Sequence, residues 1–237
     1  RDAAQAGAHL VIFPELSVCG YPPRNLVEKT SFLERTEQQL ARLACETAAL
    51  PTALICGFAR RHDGHTGKTA ANCAALLQGG EIRFVQQKML LPTYDVFDES
   101  RNFAPGDRQQ VWEFAGRRLG VTICEDIWND KQFWERRLYS RDPVEELVSA
   151  GADLLINLSS SPYHMHKRRL RRDMLAAIAR RHRLPVVLVN QVGGNDQLLF
   201  DGTSFVLDAA GEIRALARSF EEDLVLYDTD ANSGDLH

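Results

Sequence analysis

An α/β fold is what this sequence predicts, and three observations carry that reading. Short aliphatic runs recur at Leu119–Cys124, Asp153–Leu158 and Pro185–Asn190, as in strands buried on both faces of a sheet. Segments of helical period fall between them, at Pro143–Ala150 and Lys167–His182. The length of 237 residues suits one large domain with a substantial core.

The elements follow in chain order. Arg1–Gly7 reads as the tail of a helix feeding a strand at His9–Glu15, so a first strand and part of that helix are expected upstream of the domain's start. Gly20, Pro22 and Pro23 disfavour regular structure over Cys19–Asn25. The spacing of Phe32, Leu33, Leu40, Leu43, Ala44 and Thr47 predicts a helix over about Thr30–Ala49, ended by Pro51. Thr52–Ala59 reads as a buried strand, and the polar, glycine-bearing Arg60–Lys68 as a loop. Asn72–Leu77 and Ile82–Gln87 form a hairpin around Gln78-Gly79-Gly80-Glu81. Met89–Asp107 is long and irregular, a type of loop that is usually functional or disordered, and its aromatic content favours function. Strands at Thr203–Leu207 and Ile213–Ala217 close the domain, taken as 1–230, and 231–237 reads as a tail or the start of a linker.

Composition narrows the function class. The chain is 44% hydrophobic and 25% charged, with a formal net charge of −4. Mild acidity gives no electrostatic reason for a nucleic-acid or anionic-membrane partner. No apolar stretch reaches the roughly 20 residues that span a bilayer, and no signal peptide is present. The five thiols, Cys19, Cys45, Cys56, Cys73 and Cys124, are odd in number and form no CxxC pair. That argues against a disulfide framework or a structural zinc site and fits the reducing cytoplasm. Cys45 and Cys56 are read as small buried hydrophobes, with Cys19 and Cys73 leaning the same way.

The chemistry concentrates at three strand exits. Cys124 ends an apolar strand, Glu15 ends another after Pro14, and Lys88 closes the second arm of the hairpin. Open α/β sheets place their chemistry outside the carboxyl ends of strands. A thiol, an acid and an ammonium at such exits suit acyl transfer. Each has a plainer reading: a structural thiol, a solvated loop carboxylate, a surface charge. Co-occurrence is what weighs against three separate plain readings.

Four motifs bear a resemblance to a known family. They are Phe13-Pro14-Glu15-Leu16 with Gly20-Tyr21-Pro22-Pro23, then Gln87-Lys88-Met89-Leu90-Leu91-Pro92-Thr93-Tyr94-Asp95-Val96-Phe97-Asp98-Glu99, then Ile123-Cys124-Glu125-Asp126-Ile127-Trp128, then Asn157-Leu158-Ser159-Ser160-Ser161-Pro162-Tyr163. Their order and content resemble the nitrilase superfamily, and within it the glutaminase domains of glutamine-dependent NAD synthetases. The resemblance runs across nearly the whole chain. It implies a four-layer αββα sandwich and hydrolysis of the side-chain amide of L-glutamine. Cys124 would be the nucleophile and Glu15 the general base. Lys88 would stabilise the oxyanion together with the backbone N–H of Glu125. The resemblance further implies that Glu99 orients the lysine and that Tyr94, Ser161 and Lys167 bind glutamine; Phe97 could line the pocket. No metal or cofactor is expected for this step. ATP and magnesium would belong to a synthetase domain, which would be the ammonia's destination and which these residues do not resemble. Nitrilase relatives commonly associate, so a homo-oligomer is expected. Two rivals stay open: another nitrilase-type amidase or carbamoylase, and a non-catalytic assembly module.

Other features read as structure. His164-Met165-His166 lacks accompanying metal ligands and suits a loop or helix entry. The arginines of Lys167-Arg168-Arg169-Leu170-Arg171-Arg172 form the wet face of a helix whose apolar side carries Leu170, Met174, Ala177 and Ile178. Val192-Gly193-Gly194-Asn195-Asp196 lacks the spacing and lysine of a phosphate loop. Trp112, Trp128 and Trp134 are core or interface anchors.

Overall fold

Two stacked sheets bring their strand ends to a common edge. The computed structural model describes residues 1–62, 64, 67–94 and 97–229. Asp95 and Val96 of the second motif, part of the Arg60–Lys68 loop, and the 231–237 tail lie outside them. The first sheet has the order β1 (Leu10–Ile12), β2 (Ala53–Arg61), β3 (Ala70–Gln78) and β4 (Glu81–Gln87). β1 and β2 run parallel, and β3 is antiparallel to both β2 and β4. β1 and β4 therefore finish at the same end of the sheet, which is where Glu15 and Lys88 follow them.

The second sheet holds six strands. β5 (Val111–Phe114), β6 (Arg117–Ile123), β7 (Leu154–Ser159), β8 (Val186–Asn190), β11 (Phe205–Leu207) and β12 (Ile213–Leu216) lie side by side in that order. Its centre, β6, β7 and β8, is parallel, with Ile156 of β7 opposite both Val121 and Val187. Cys124, Ser160 and Asn190 thus share one edge. A separate antiparallel pair, β9 (Val192–Asn195) and β10 (Leu198–Asp201), follows β8.

Period-two alternation builds the layers. In β2, Ala53 and Ile55 face the second sheet, where Val121, Ile156 and Leu158 meet them. Leu54, Cys56 and Phe58 face the other way, onto Leu40 and Ala44 of α2 (Thr30–Glu46). The outer face of the second sheet packs Leu155, Val186 and Leu188 under Leu147 of α4 (Pro143–Ser149) and Met174 and Ile178 of α5 (Lys167–His182). Helix, sheet, sheet, helix is the four-layer order that the family resemblance implies. Two single-turn helices, α1 (Asp2–Gln5) and α3 (Glu99–Asn102), and two 3-10 turns, Arg24–Glu28 and Cys124–Ile127, complete the described elements. Among the described residues no helix is long and apolar enough to cross a membrane.

Several details depart from the sequence reading. β5, β9 and β10 were not anticipated; Gly193 and Gly194 mask the alternation in β9. Cys45 is exposed rather than buried, because α2 turns Leu40 and Ala44 inward and leaves position 45 outside. On α5 the inward stripe is 171, 174, 175 and 178, so Arg171 is buried and Leu170 is exposed. Arg171 is tolerated inside because Nη2 pairs with the buried Asp201 at 2.6 Å. The tryptophans do anchor apolar clusters, Trp112 between the sheets and Trp128 and Trp134 under the helices.

One glycine makes the approach of β1 to β2 possible. A Cβ at Gly57 would stand 2.1 Å from the Leu16 nitrogen and 2.7 Å from the Glu15 carbonyl carbon. Gly57→Ala is therefore expected to lower stability by about 3 kcal/mol, the upper range for overpacking, and to displace Glu15. Chemical denaturation measures the first; a variant as stable as wild type would show the approach is not fixed there.

Candidate active site

Glu15 sits three residues beyond β1, at the edge between the two sheets. The backbone turns at Leu16, in the left-handed region at φ 48°. The carboxylate is 1% exposed, yet its lone pairs are well used. Oε1 accepts from Asn72 Nδ2 at 2.8 Å and from Lys88 Nζ at 2.8 Å, and Oε2 accepts from the Ser160 N–H at 3.0 Å. Those donors come from β3, the end of β4 and the end of β7, so the carboxylate ties both sheets together.

Lys88 is fully buried at the end of β4. Its ammonium donates to Glu15 Oε1 and to both oxygens of Glu99, at 2.9 and 2.7 Å. The Tyr21 hydroxyl donates to Glu99 Oε1 at 2.8 Å and steadies that side. Burial alone would depress the lysine, but Glu15 and Glu99 outweigh it and hold its pKa well above the usual value. Gly106 backs the strand end: its N–H donates to the Lys88 carbonyl at 2.7 Å, and a Cβ there would lie 2.8 Å from the Gln87 oxygen.

Cys124 begins a single 3-10 turn, Cys124–Ile127, straight after β6. Its φ of 45° is a left-handed value that a cysteine adopts only under tertiary constraint. Asp126 supplies that constraint. Its Oδ2 accepts from the Ile123 N–H at 3.0 Å, and its Oδ1 from the Met89 and Leu90 N–H groups at 2.9 and 2.8 Å. One carboxylate thus fastens the backbone just before the thiol to the backbone just after Lys88. Asn157 Nδ2 adds a bond to the Cys124 carbonyl at 3.3 Å. Burial raises the thiol pKa first and most, Glu15 and Glu99 raise it further, and Lys88 opposes them. The field at the sulfur thus comes from the same Glu15, Lys88 and Glu99.

A second group gathers on the outer side of the thiol. The Tyr94 hydroxyl donates to both carboxylate oxygens of Glu125 at 2.8 and 2.9 Å. Phe97 packs edge-on against Tyr94, with ring centroids 5.8 Å apart. Lys167 Nζ lies 5.5 Å from the Phe97 ring centre and 5.7 Å from that of Trp128, within cation–π range. Ser161 is buried, and its N–H donates to Asn190 Oδ1 at 2.9 Å, next to the Ser160 N–H that holds Glu15.

The structure thus places Glu15, Lys88 and Glu99 in direct contact and Cys124 within their field. It gathers Tyr94, Phe97, Glu125 and Lys167 beside them. Sequence reasoning missed Tyr21, Asn72, Asp126, Tyr139 and Ser160. Asn72 had left a signal, a single amide inside the apolar run Ala70-Ala71-Asn72-Cys73-Ala74-Ala75. Glu125 carries a carboxylate in the site as well as the backbone N–H singled out from sequence.

Two carboxylates share one ammonium, and that gives a pH signature. Burial first, and Glu15 next in the same direction, push Glu99 up to about 7 against the pull of Lys88 and Tyr21. Between the ordinary 4.5 and about 7, native Glu99 keeps a proton that the unfolded chain has released. Stability should therefore fall as pH rises through that window. Denaturation at its two ends is expected to show a steeper fall for wild type than for Glu99→Gln; equal slopes would refute the shift.

Comparison with known proteins places the chain in a family. The family model for carbon-nitrogen hydrolases matches residues 1–235. A glutamine-dependent NAD(+) synthetase of Synechocystis sp. is 42% identical over 238 residues, covering 99% of this chain and 42% of that protein. The structure of the glutamine-dependent NAD+ synthetase of Acinetobacter baumannii in complex with ADP superposes with a TM-score of 0.82 at 38% identity, covering 94% of this chain and 39% of that one. An amidase from Nesterenkonia sp. shares the fold alone, with a TM-score of 0.74 at 22% identity over 92% of this chain and 76% of its own. The chain spans about two fifths of the length of the synthetases it matches. It belongs to the carbon-nitrogen hydrolase family.

Proposed function

We propose that this chain hydrolyses the side-chain amide of L-glutamine to glutamate and ammonia through a thioester on Cys124. The observation that carries the reading is the buried Glu15–Lys88–Glu99 cluster beside a thiol held in a strained turn. Nothing about a core requires an ammonium and two carboxylates at this edge, where desolvating them is costly.

Each group has a task set by its chemistry. Glu15 takes the Sγ proton as sulfur attacks the amide carbon, so the nucleophile is the thiolate. The carbonyl oxygen becomes an oxyanion, stabilised by Lys88 Nζ and by the backbone N–H of Glu125. That N–H lies in the first turn of a helix and has no partner within it. One such donor contributes about 3–4 kcal/mol to the barrier. Glu15 then passes its proton to the departing nitrogen, and ammonia leaves a glutamyl thioester. Water attacks that thioester with Glu15 as base, and the proton returns to sulfur as glutamate departs. Glu99 keeps Lys88 charged and aimed. The positive charge that a metal could supply is already provided by Lys88, so the step uses neither metal nor cofactor.

The outer group supplies substrate recognition. Lys167 can pair with the α-carboxylate and Ser161 can hydrogen-bond it, while the Phe97 ring flanks the side chain. The Tyr94 hydroxyl spends its proton on Glu125 and keeps lone pairs to accept from substrate. The Glu125 carboxylate is an anion awaiting the α-ammonium. A simple aliphatic amide would need neither charged partner.

Similarity to the synthetases supports a wider reading. The ammonia would pass to a synthetase domain of the same protein, where ATP and magnesium activate nicotinate adenine dinucleotide for conversion to NAD. The cysteines would stay reduced in the cytoplasm, and the protein would work as a homo-oligomer. In the protein carrying both domains, Cys124→Ala is expected to abolish glutamine hydrolysis and glutamine-supported synthesis while synthesis from added ammonia continues. Coupled product assays with either nitrogen source check it. Survival of glutamine hydrolysis would exclude Cys124 as the nucleophile, and turnover of simple amides in place of glutamine would favour the amidase reading.

A further inference from the structure

Glu125 is gripped from two directions. Tyr94 reaches it from the loop after β4, and Tyr139 reaches it from the 128–142 segment, donating to Oε1 at 3.1 Å. Two phenols donating into one carboxyl group favour its ionised form, in which both oxygens act only as acceptors. Burial pushes the Glu125 pKa up, and the Tyr94, Lys88, Tyr139 and Lys167 contacts pull it back.

The position of Tyr139 is itself braced. Asn129 Nδ2 donates to the carbonyls of Tyr139 and Arg141 at 3.0 and 2.6 Å, and Asn129 Oδ1 accepts from the Tyr139 N–H at 3.4 Å. One buried side chain thus fixes both backbone groups of residue 139. Its neighbour Asp130, also buried, accepts from the N–H groups of Gln132 and Phe133 and pairs with Arg181 of α5 at 2.8 Å. The segment is anchored to the helix whose first residue is Lys167. The half-buried phenol at the end of that chain of bonds donates to Glu125, the residue that follows Cys124.

We infer that Tyr139 is a positioning residue for substrate selection: it keeps Glu125 ionised and aimed at the α-ammonium, so the site takes α-amino acid amides over amides lacking that group. This rests on the glutamine reading given above. Lys167 and Glu125 then form a dipolar receptor, cation for the carboxylate and anion for the ammonium, beside the packed rings of Phe97 and Tyr94.

Steady-state kinetics on glutamine and on the monoamide of glutarate, which is glutamine without its α-ammonium, test the inference. Tyr139→Phe should raise KM for glutamine about tenfold, the weight of one lost bond to a charged group. The change in kcat should stay within about twofold, and the monoamide should be unaffected, so discrimination narrows about tenfold. In a Glu125→Gln background the same substitution should change nothing, because its effect runs through the carboxylate. An equal loss on both substrates, an unchanged KM, or an effect that persists without the carboxylate would each overturn the inference. Tyr139→Leu, which is apolar and carries no hydrogen-bond donor, carries the test if the first variant fails to fold. Wild-type protein unable to hydrolyse glutamine would sink the glutamine reading as well; hydrolysis with undiminished discrimination in Tyr139→Phe would sink this inference alone.

Discussion

The ion cluster formed by Glu15, Lys88 and Glu99 is the constraint around which the rest of the molecule is arranged. Each member is buried, and an unpaired charge in such a place costs several kcal/mol. The cluster survives because its bonds are nearly complete. Lys88 spends its donors on two carboxylates, Glu15 also accepts from Asn72 and Ser160, and Glu99 also accepts from Tyr21. Removing any one partner would leave a buried charge short of a bond, at about 3–5 kcal/mol for the ion pair itself. Such a network confines its groups to one geometry, which is what acyl transfer asks of a base and an oxyanion donor.

Backbone devices deliver the side chains to that geometry. Gly57 lets the chain at Glu15 and Leu16 lie against β2. Asp126 sets the distance between the thiol and the ammonium through main-chain bonds on both sides, so neither depends on a flexible side chain for placement. Parallel pairing does the remainder: β6, β7 and β8 end together, and Cys124, Ser160 and Asn190 emerge in neighbouring positions. The site is thus a product of topology before it is a product of individual contacts.

That distinction explains what could be read from the sequence. Aliphatic runs fixed the positions of the central strands to within a residue or two, because burial on both faces leaves a continuous signature. The motifs around Glu15, Lys88 and Cys124 stood at strand exits and were legible as a set. Asp126 was visible only as a neighbour of the cysteine, since its partners Met89 and Leu90 lie 37 and 36 positions away. Tyr139 left no signal, being one of several aromatics in the 128–142 segment and braced by Asn129 ten positions away. Arg171 was misjudged because a helical stripe reports which positions face inward, and here an ion pair with Asp201 lets a charge occupy one of them. β9 and β10 carry two glycines where alternation would be read.

The electrostatics of the thiol bear on how such a site protects itself. Cys56 and Cys73, with no catalytic neighbours, are pushed up to about 12 by burial. Cys124 is raised by burial too, and the net negative cluster beside it adds to the effect. A sulfur kept as the thiol is a poor nucleophile and a poor target for oxidation. Under the glutamine reading proposed above, an amide carbonyl brought toward Lys88 would change the balance, because negative charge leaving sulfur would then have somewhere to go. In the proposed hydrolysis, proton transfer to Glu15 would become favourable when the oxyanion forms against the ammonium. On that proposal, reactivity would be tied to the presence of substrate by the same ion cluster whose Glu15 joins the two sheets through the Ser160 N–H.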